Sequence, residues 1–201
     1  MTRFLASLAS IVTLLFVVSA QAEPPSAADA LKDRVLGDAN APIEIIEYAS
    51  LTCTHCRDFH VDVMPDLKKN YIDTGKVKLV YRDFPFDQLG LMATVLSRCA
   101  PPSRYFQFLD VLFQNQDKWT KDPDPVGALT RIGKLGGLSG EDFKACLDNK
   151  ELVDGILQTR LTANQQFDVK STPTFLIGDK NRVVGAQPYE VFDELLKKLS
   201  D

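Results

Sequence analysis

The spacing of apolar positions divides the chain into stretches of two kinds. Ile43-Glu44-Ile45-Ile46-Glu47-Tyr48 is β-branched and aromatic, mostly apolar on both alternating faces, and punctuated at its start by Asn40-Ala41-Pro42. This predicts a buried central strand. From Thr54 to about Asn70 the period lengthens, with Phe59, Val63 and Leu67 recurring every four residues on one face. That is helical spacing, and Pro65 in the interior predicts a kink near Met64. Beyond the turn at Asp73-Thr74-Gly75, Val77-Lys78-Leu79-Val80-Tyr81 reads as a second strand. A strand-helix-strand unit of this kind implies a parallel pair joined by a right-handed crossover.

Between about residues 88 and 167 the pattern is helical throughout, broken by Pro101-Pro102, Pro123-Asp124-Pro125 and Gly136-Gly137. Phe106, Leu109 and Phe113, then Val153, Ile156, Leu157 and Leu161, supply apolar faces at spacings of three and four. This predicts an all-helical insertion. Strand character returns at Thr174-Phe175-Leu176-Ile177, turns at Gly178-Asp179 and continues in Arg182-Val183-Val184. A last helix follows Pro188, with Val191, Phe192, Leu195, Leu196 and Leu199 as its predicted buried stripe.

The first 22 residues follow another rule. Arg3 precedes an apolar run from Leu5 to Val18, and Ala20-Gln21-Ala22 offers a small-x-small cleavage site before Glu23. This is the layout of a signal peptide, leaving residues 23–201 as the mature domain. The alternative, an uncleaved anchor, is disfavoured because the run is shorter than the roughly 18 to 20 residues that span a bilayer. The net charge is −4, and loss of Arg3 makes the mature chain −5, which argues against a nucleic-acid partner.

All four cysteines, at 53, 56, 99 and 146, lie beyond the cleavage site, and in an exported chain an even count makes disulfides the default. Three pairings are allowed. Cys53 and Cys56 are too close together for a useful structural staple, which leaves Cys99 with Cys146.

Cys53-Thr54-His55-Cys56 falls where the first strand ends and the helix begins. Only a thiolate attacks a disulfide, and a helix N-terminus stabilises one through its unpaired N–H groups and dipole. Cys56 lies one turn on, able to close a ring with Cys53, and His55 adds a donor or a positive charge that should lower the Cys53 pKa. Competing readings are half of a zinc site using Cys53, His55, Cys56 and His60, an inert structural disulfide, and histidines that simply face solvent. No second Cys-x-x-Cys supports zinc, so no metal is assigned. For His60 the surface reading is preferred. Glu47 shares a face with Ile43 and Ile45, so its carboxyl is partly desolvated, favours its protonated form and could exchange protons with Cys56. Ser171-Thr172-Pro173 leads into the last strands, a position that spacing alone would assign to an ordinary turn proline.

In this order, the strand, Glu47, Cys53-Thr54-His55-Cys56, the helical insertion and Thr172-Pro173 make the whole mature chain resemble the DsbA family of periplasmic thiol-disulfide oxidoreductases. The resemblance implies an α/β thioredoxin-like fold with an all-helical insertion. It gives Cys53 the role of exposed nucleophile, Cys56 that of resolving cysteine and Glu47 that of buried acid. A cis-proline loop at Thr172-Pro173 would pair its backbone with extended substrate. The resemblance also implies a periplasmic location, reduced exported polypeptides as substrates, reoxidation by a quinone-linked membrane protein, and no cofactor. Cys99 and Cys146 look like the extra structural disulfide of the alphaproteobacterial branch. Two departures stand out: Thr54 where the best-known members have proline, and a threonine at 172 more like the isomerase and reductase relatives. Only about twenty residues separate the signal segment from the first strand, too few for the N-terminal dimerisation domain that isomerases carry, so a monomeric oxidase is the expectation. The alternatives are an isomerase or reductase of the same fold, and a non-enzymatic chaperone or metal-binding module.

Overall fold

In the computed structural model residues 24–200 are described, so the predicted signal peptide at residues 1–22 lies outside them. Among the described residues, strands β1 (Arg34–Leu36), β2 (Ile43–Ala49), β3 (Val77–Asp83), β4 (Thr174–Ile177) and β5 (Asn181–Val184) form one sheet in the order β1-β3-β2-β4-β5. The apolar run at Ile43 thus becomes the centre of the sheet, where both faces are covered. β2 pairs parallel with β3, and Glu47 lies opposite Tyr81. β2 is antiparallel to β4, β4 to β5, and the three-residue β1 to β3.

A short α1 (Ala27–Ala30) precedes the sheet, and α2 (Thr54–Asp58) follows β2 after a short connecting segment at residues 50–53. A π-turn at Phe59–Val63 carries α2 into α3 (Met64–Leu67), and a second π-turn follows at Lys68–Ile72. The kink expected at Pro65 is thus taken up as wider turns. Proline supplies no N–H to the carbonyl four residues back, and the added residue in the preceding turn absorbs that mismatch. Phe59, Val63 and Leu67 are all buried, as their spacing predicts.

Between β3 and β4 the chain is helical: α4 (Gln88–Cys99), α5 (Tyr105–Gln114), α6 (Gln116–Thr120), α7 (Pro125–Leu135), α8 (Gly140–Asp148) and α9 (Lys150–Phe167). Asp168 ends α9 in the left-handed conformation, φ 51°, and the chain then reverses into the loop that carries Pro173. α10 (Tyr189–Ser200) closes the fold.

Two predicted apolar stripes are narrower than expected. Leu157 and Leu161 of α9 are exposed, as are Val191 and Leu199 of α10. α9 buries Leu152, Ile156 and Ala163 instead, and α10 buries Phe192 and Leu196. Each of these helices is covered on one side only, so periodicity overstates the width of its buried face.

The apolar core has two main parts. Ile43, Ile45, Phe59, Leu67, Phe175 and Phe192 belong to one cluster. The other joins Cys53, Cys56 and Tyr81 to the helices of the insertion, through residues such as Leu96, Leu109, Phe113 and Trp119. The two sulfurs therefore sit where sheet and insertion meet.

Among the described residues no helix is long and apolar enough to cross a membrane.

Candidate active site

The segment between β2 and α2 is held from two sides. Thr52 donates its hydroxyl to Asp87 at 2.6 Å, and Asp87 also caps α4 by accepting from the Gly90 N–H at 2.6 Å. Gln116, from α6, is only 2% exposed and donates its amide to the carbonyls of Leu51 and Cys53 at 2.8 and 2.9 Å. The sheet, α4 and α6 together fix the entrance to α2.

Cys53 is the N-cap of α2, in extended conformation, with its Sγ accepting from the Cys56 N–H at 3.4 Å. Both cysteines are free thiols, and they differ sharply in surroundings. The pKa of Cys53 falls to about 6, chiefly through the hydrogen bond from the Cys56 side chain. Desolvation opposes this, while the Thr172 side chain and the N–H groups of Cys56 and His55 reinforce it. Burial pushes the fully enclosed Cys56 thiol well above its ordinary value, and Cys53 and Glu47 push it further. Cys53 is less open than the resemblance implies, at 8% exposure. Its thiol faces the Thr172 carbonyl at 3.4 Å, and the Thr172–Pro173 bond is cis.

His55 gives the sulfur its backbone N–H rather than its ring. The imidazole is exposed, with Nδ1 3.9 Å from Asp58. His60 departs entirely from the surface reading. Its side chain is 3% exposed and its Nε2 lies 3.0 and 3.1 Å from the two carboxylate oxygens of Glu47, which is itself fully buried. An acid forced into a strand interior needs a partner, and one helical turn beyond Cys56 is where the helix can supply it. Among the described residues no group of three His, Cys, Asp or Glu side chains is arranged to hold a metal. Cys99 and Cys146 form a disulfide joining the end of α4 to α8, with Cα atoms 6.4 Å apart.

A thioredoxin family model matches residues 29–198. The crystal structure of Wolbachia pipientis alpha-DsbA1 superposes with a TM-score of 0.78 at 35% identity, over 84% of this chain and 91% of that one. The chain belongs to the DsbA branch of the thioredoxin family. A Rickettsia typhi protein whose name is that of a protein-disulfide oxidoreductase is 37% identical over 147 residues, 72% of this chain and 54% of that protein. The chain thus spans about half the length of that relative. Disulfide bond formation protein D of Bacillus subtilis is 27% identical over 151 residues, 73% of this chain and 68% of that protein.

Within this DsbA-type frame the fold gathers Cys53, Cys56, Thr172 and Pro173, with Glu47 behind Cys56. It leaves the His55 ring outside and puts Cys99–Cys146 in the helical insertion, within the same apolar cluster as the reactive pair. Sequence reading missed Gln116 and Asp87. Asp87 precedes a helical run with glycine three residues on, an N-cap signal. Gln116 carries no such signal.

Proposed function

We propose that this DsbA-type chain is an oxidase that introduces disulfide bonds into exported polypeptides. A substrate thiolate attacks Sγ of Cys53 in the Cys53–Cys56 disulfide, and Cys56 leaves and takes up a proton. A second substrate thiolate then attacks the substrate sulfur of the mixed disulfide, releasing Cys53 as thiolate and the substrate as disulfide. The observation that carries this reading is the asymmetry of the two sulfurs: Cys53 near 6 at a helix start, Cys56 enclosed and pushed up. A stabilised Cys53 thiolate favours the reduced form, and so makes the disulfide a stronger oxidant.

The cis Thr172–Pro173 loop beside Cys53 supports docking of an extended substrate backbone. Glu47 serves as proton relay to Cys56, and Cys99–Cys146 as a structural tie. The enzyme works as a monomer in the periplasm after cleavage of residues 1–22, and a quinone-linked membrane protein returns it to the disulfide state. Trapping the cysteines with an alkylating reagent in the native compartment tests the direction. A pool mostly oxidised at Cys53–Cys56 supports an oxidase, and a pool mostly in free thiols refutes it. Cys53→Ser should abolish exchange with a dithiol peptide, and retained activity would overturn the catalytic assignment.

A further inference from the structure

The Glu47–His60 pair has no part in the resemblance beyond the acid itself, yet its geometry is tightly constrained. The His60 ring is stacked on Phe113 with centroids 4.1 Å apart and planes 15° apart. Phe59 meets it edge-on at 5.5 Å and Tyr81 at 6.0 Å. Three aromatic rings therefore box the imidazole and bar it from turning. Its two nitrogens have opposite surroundings. Nε2 faces both oxygens of a carboxylate, which accepts hydrogen bonds, so Nε2 carries the proton. Nδ1 is buried with no partner. Nδ1 has no acceptor to donate to, so the geometry assigns the donor role to Nε2.

We propose that His60 is a positioning residue for proton transfer at Cys56: the aromatic box makes its ring a fixed donor that orients the Glu47 carboxylate toward the buried thiol. This rests on the exchange chemistry proposed above. When Cys56 resolves a mixed disulfide, its S–H bond breaks and the proton passes to Glu47. The Cys56 sulfur bonds to Sγ of Cys53, and the Cys53–substrate bond breaks with its electron pair leaving on the substrate thiolate. In the opposite direction Glu47 returns the proton as Cys56 is expelled, so no outside oxidant or base is needed for either step. His60 keeps its hydrogen bond to one carboxylate oxygen while the other takes the proton, and no tautomer change intervenes.

The remaining titratable groups facing the pair are Cys56 from α2, Tyr81 from β3, and Tyr105 and Asp110 from α5. Burial pushes both tyrosines far above their ordinary value, so neither competes for the proton near neutrality. Asp110 is displaced upward, chiefly by burial, and is the one carboxyl besides Glu47 among these groups that could blur a pH profile. An Asp110→Asn background removes that ambiguity.

The test follows a mixed disulfide formed between Cys53 and a single-cysteine peptide, and times peptide release by Cys56 against pH. His60→Leu removes the donor and should slow release about tenfold and displace the profile. His60→Gln keeps an N–H donor and should stay within about twofold of the parent, because one retained hydrogen bond preserves the orientation. Equal behaviour of the two variants, whether both slow or both unaffected, would overturn the proposal. If His60→Leu does not fold, the wild-type protein decides through nitrogen NMR of His60 in each redox state. The proposal expects the Nε2–H tautomer in both states. The Nδ1–H tautomer in either state overturns it. Peptide exchange in only one physiological direction would alter the reading of function and leave these outcomes untouched.

Discussion

Replacing Gln116 by leucine removes the buried side chain that ties α6 to the backbone of the active-site segment, at nearly constant volume. The two carbonyls it serves are not equivalent. That of Cys53 also accepts the Arg57 N–H at 3.1 Å and so keeps a partner, whereas Gln116 is the partner observed for that of Leu51. Loss of one net hydrogen bond costs about 1 kcal/mol, and stranding a buried carbonyl about 1–3 kcal/mol, so Gln116→Leu should destabilise the protein by about 2–4 kcal/mol. Gln116→Glu should cost more, because a carboxylate would confront two carbonyl oxygens with no proton to offer. The damage should also reach the sulfur. With the helix entrance loosened, the Cys53 thiolate loses part of its fixed donor set and its titration midpoint should rise from about 6 toward the ordinary 9.0. Urea unfolding of the dithiol form gives the first quantity, and the pH dependence of alkylation by iodoacetamide the second. A leucine variant within about 0.5 kcal/mol of the parent, with an unmoved midpoint, would refute the argument that α6 braces the nucleophile.

Thiolate absorbance of wild-type protein should titrate with a midpoint near pH 6 for Cys53, while Cys56 stays protonated to much higher pH. Because the Cys53 pKa is depressed on folding, its contribution to the stability of the dithiol form is complete above about pH 9 and is lost as pH falls through about 6. Unfolding of Cys53→Ala should lack this dependence, and equal slopes for the two proteins would contradict it. Removing the Cys99–Cys146 bond by alanine at both positions opens a tie across 47 residues and should cost about 4 kcal/mol in the chain-entropy model. The Cys53 alkylation rate of that variant should stay at the parent value if the bond is purely structural.

How much could be read beforehand follows from the range of each interaction. The central strand at Ile43–Tyr48, the helical run from Gln88 to Phe167 and the Cys53–Cys56 pair were legible because local pattern alone specifies them. β1 was not, since Arg34–Leu36 has no alternation of its own and becomes a strand by pairing with β3. The burial of His60 was hidden for a related reason. Nothing within its own helix marks the residue as internal, and the carboxylate that claims it lies 13 positions earlier on another element. Leu157 and Leu161 failed in the other direction, because a stripe of leucines states what a helix could bury and not what the fold brings against it.

Thr172, whose carbonyl meets the Cys53 thiol, stands 119 residues further along the chain. One of the groups that set the chemistry of the nucleophile, this threonine, therefore arrives only after most of the polypeptide has been made. Before α2 has formed Cys53 is an ordinary cysteine, mostly protonated at neutral pH and a poor attacker. The donors from Cys56 and His55 form with α2 itself, and the one from Thr172 joins only when the sheet is complete, so the thiolate gains the last of its stabilisation with the last strands.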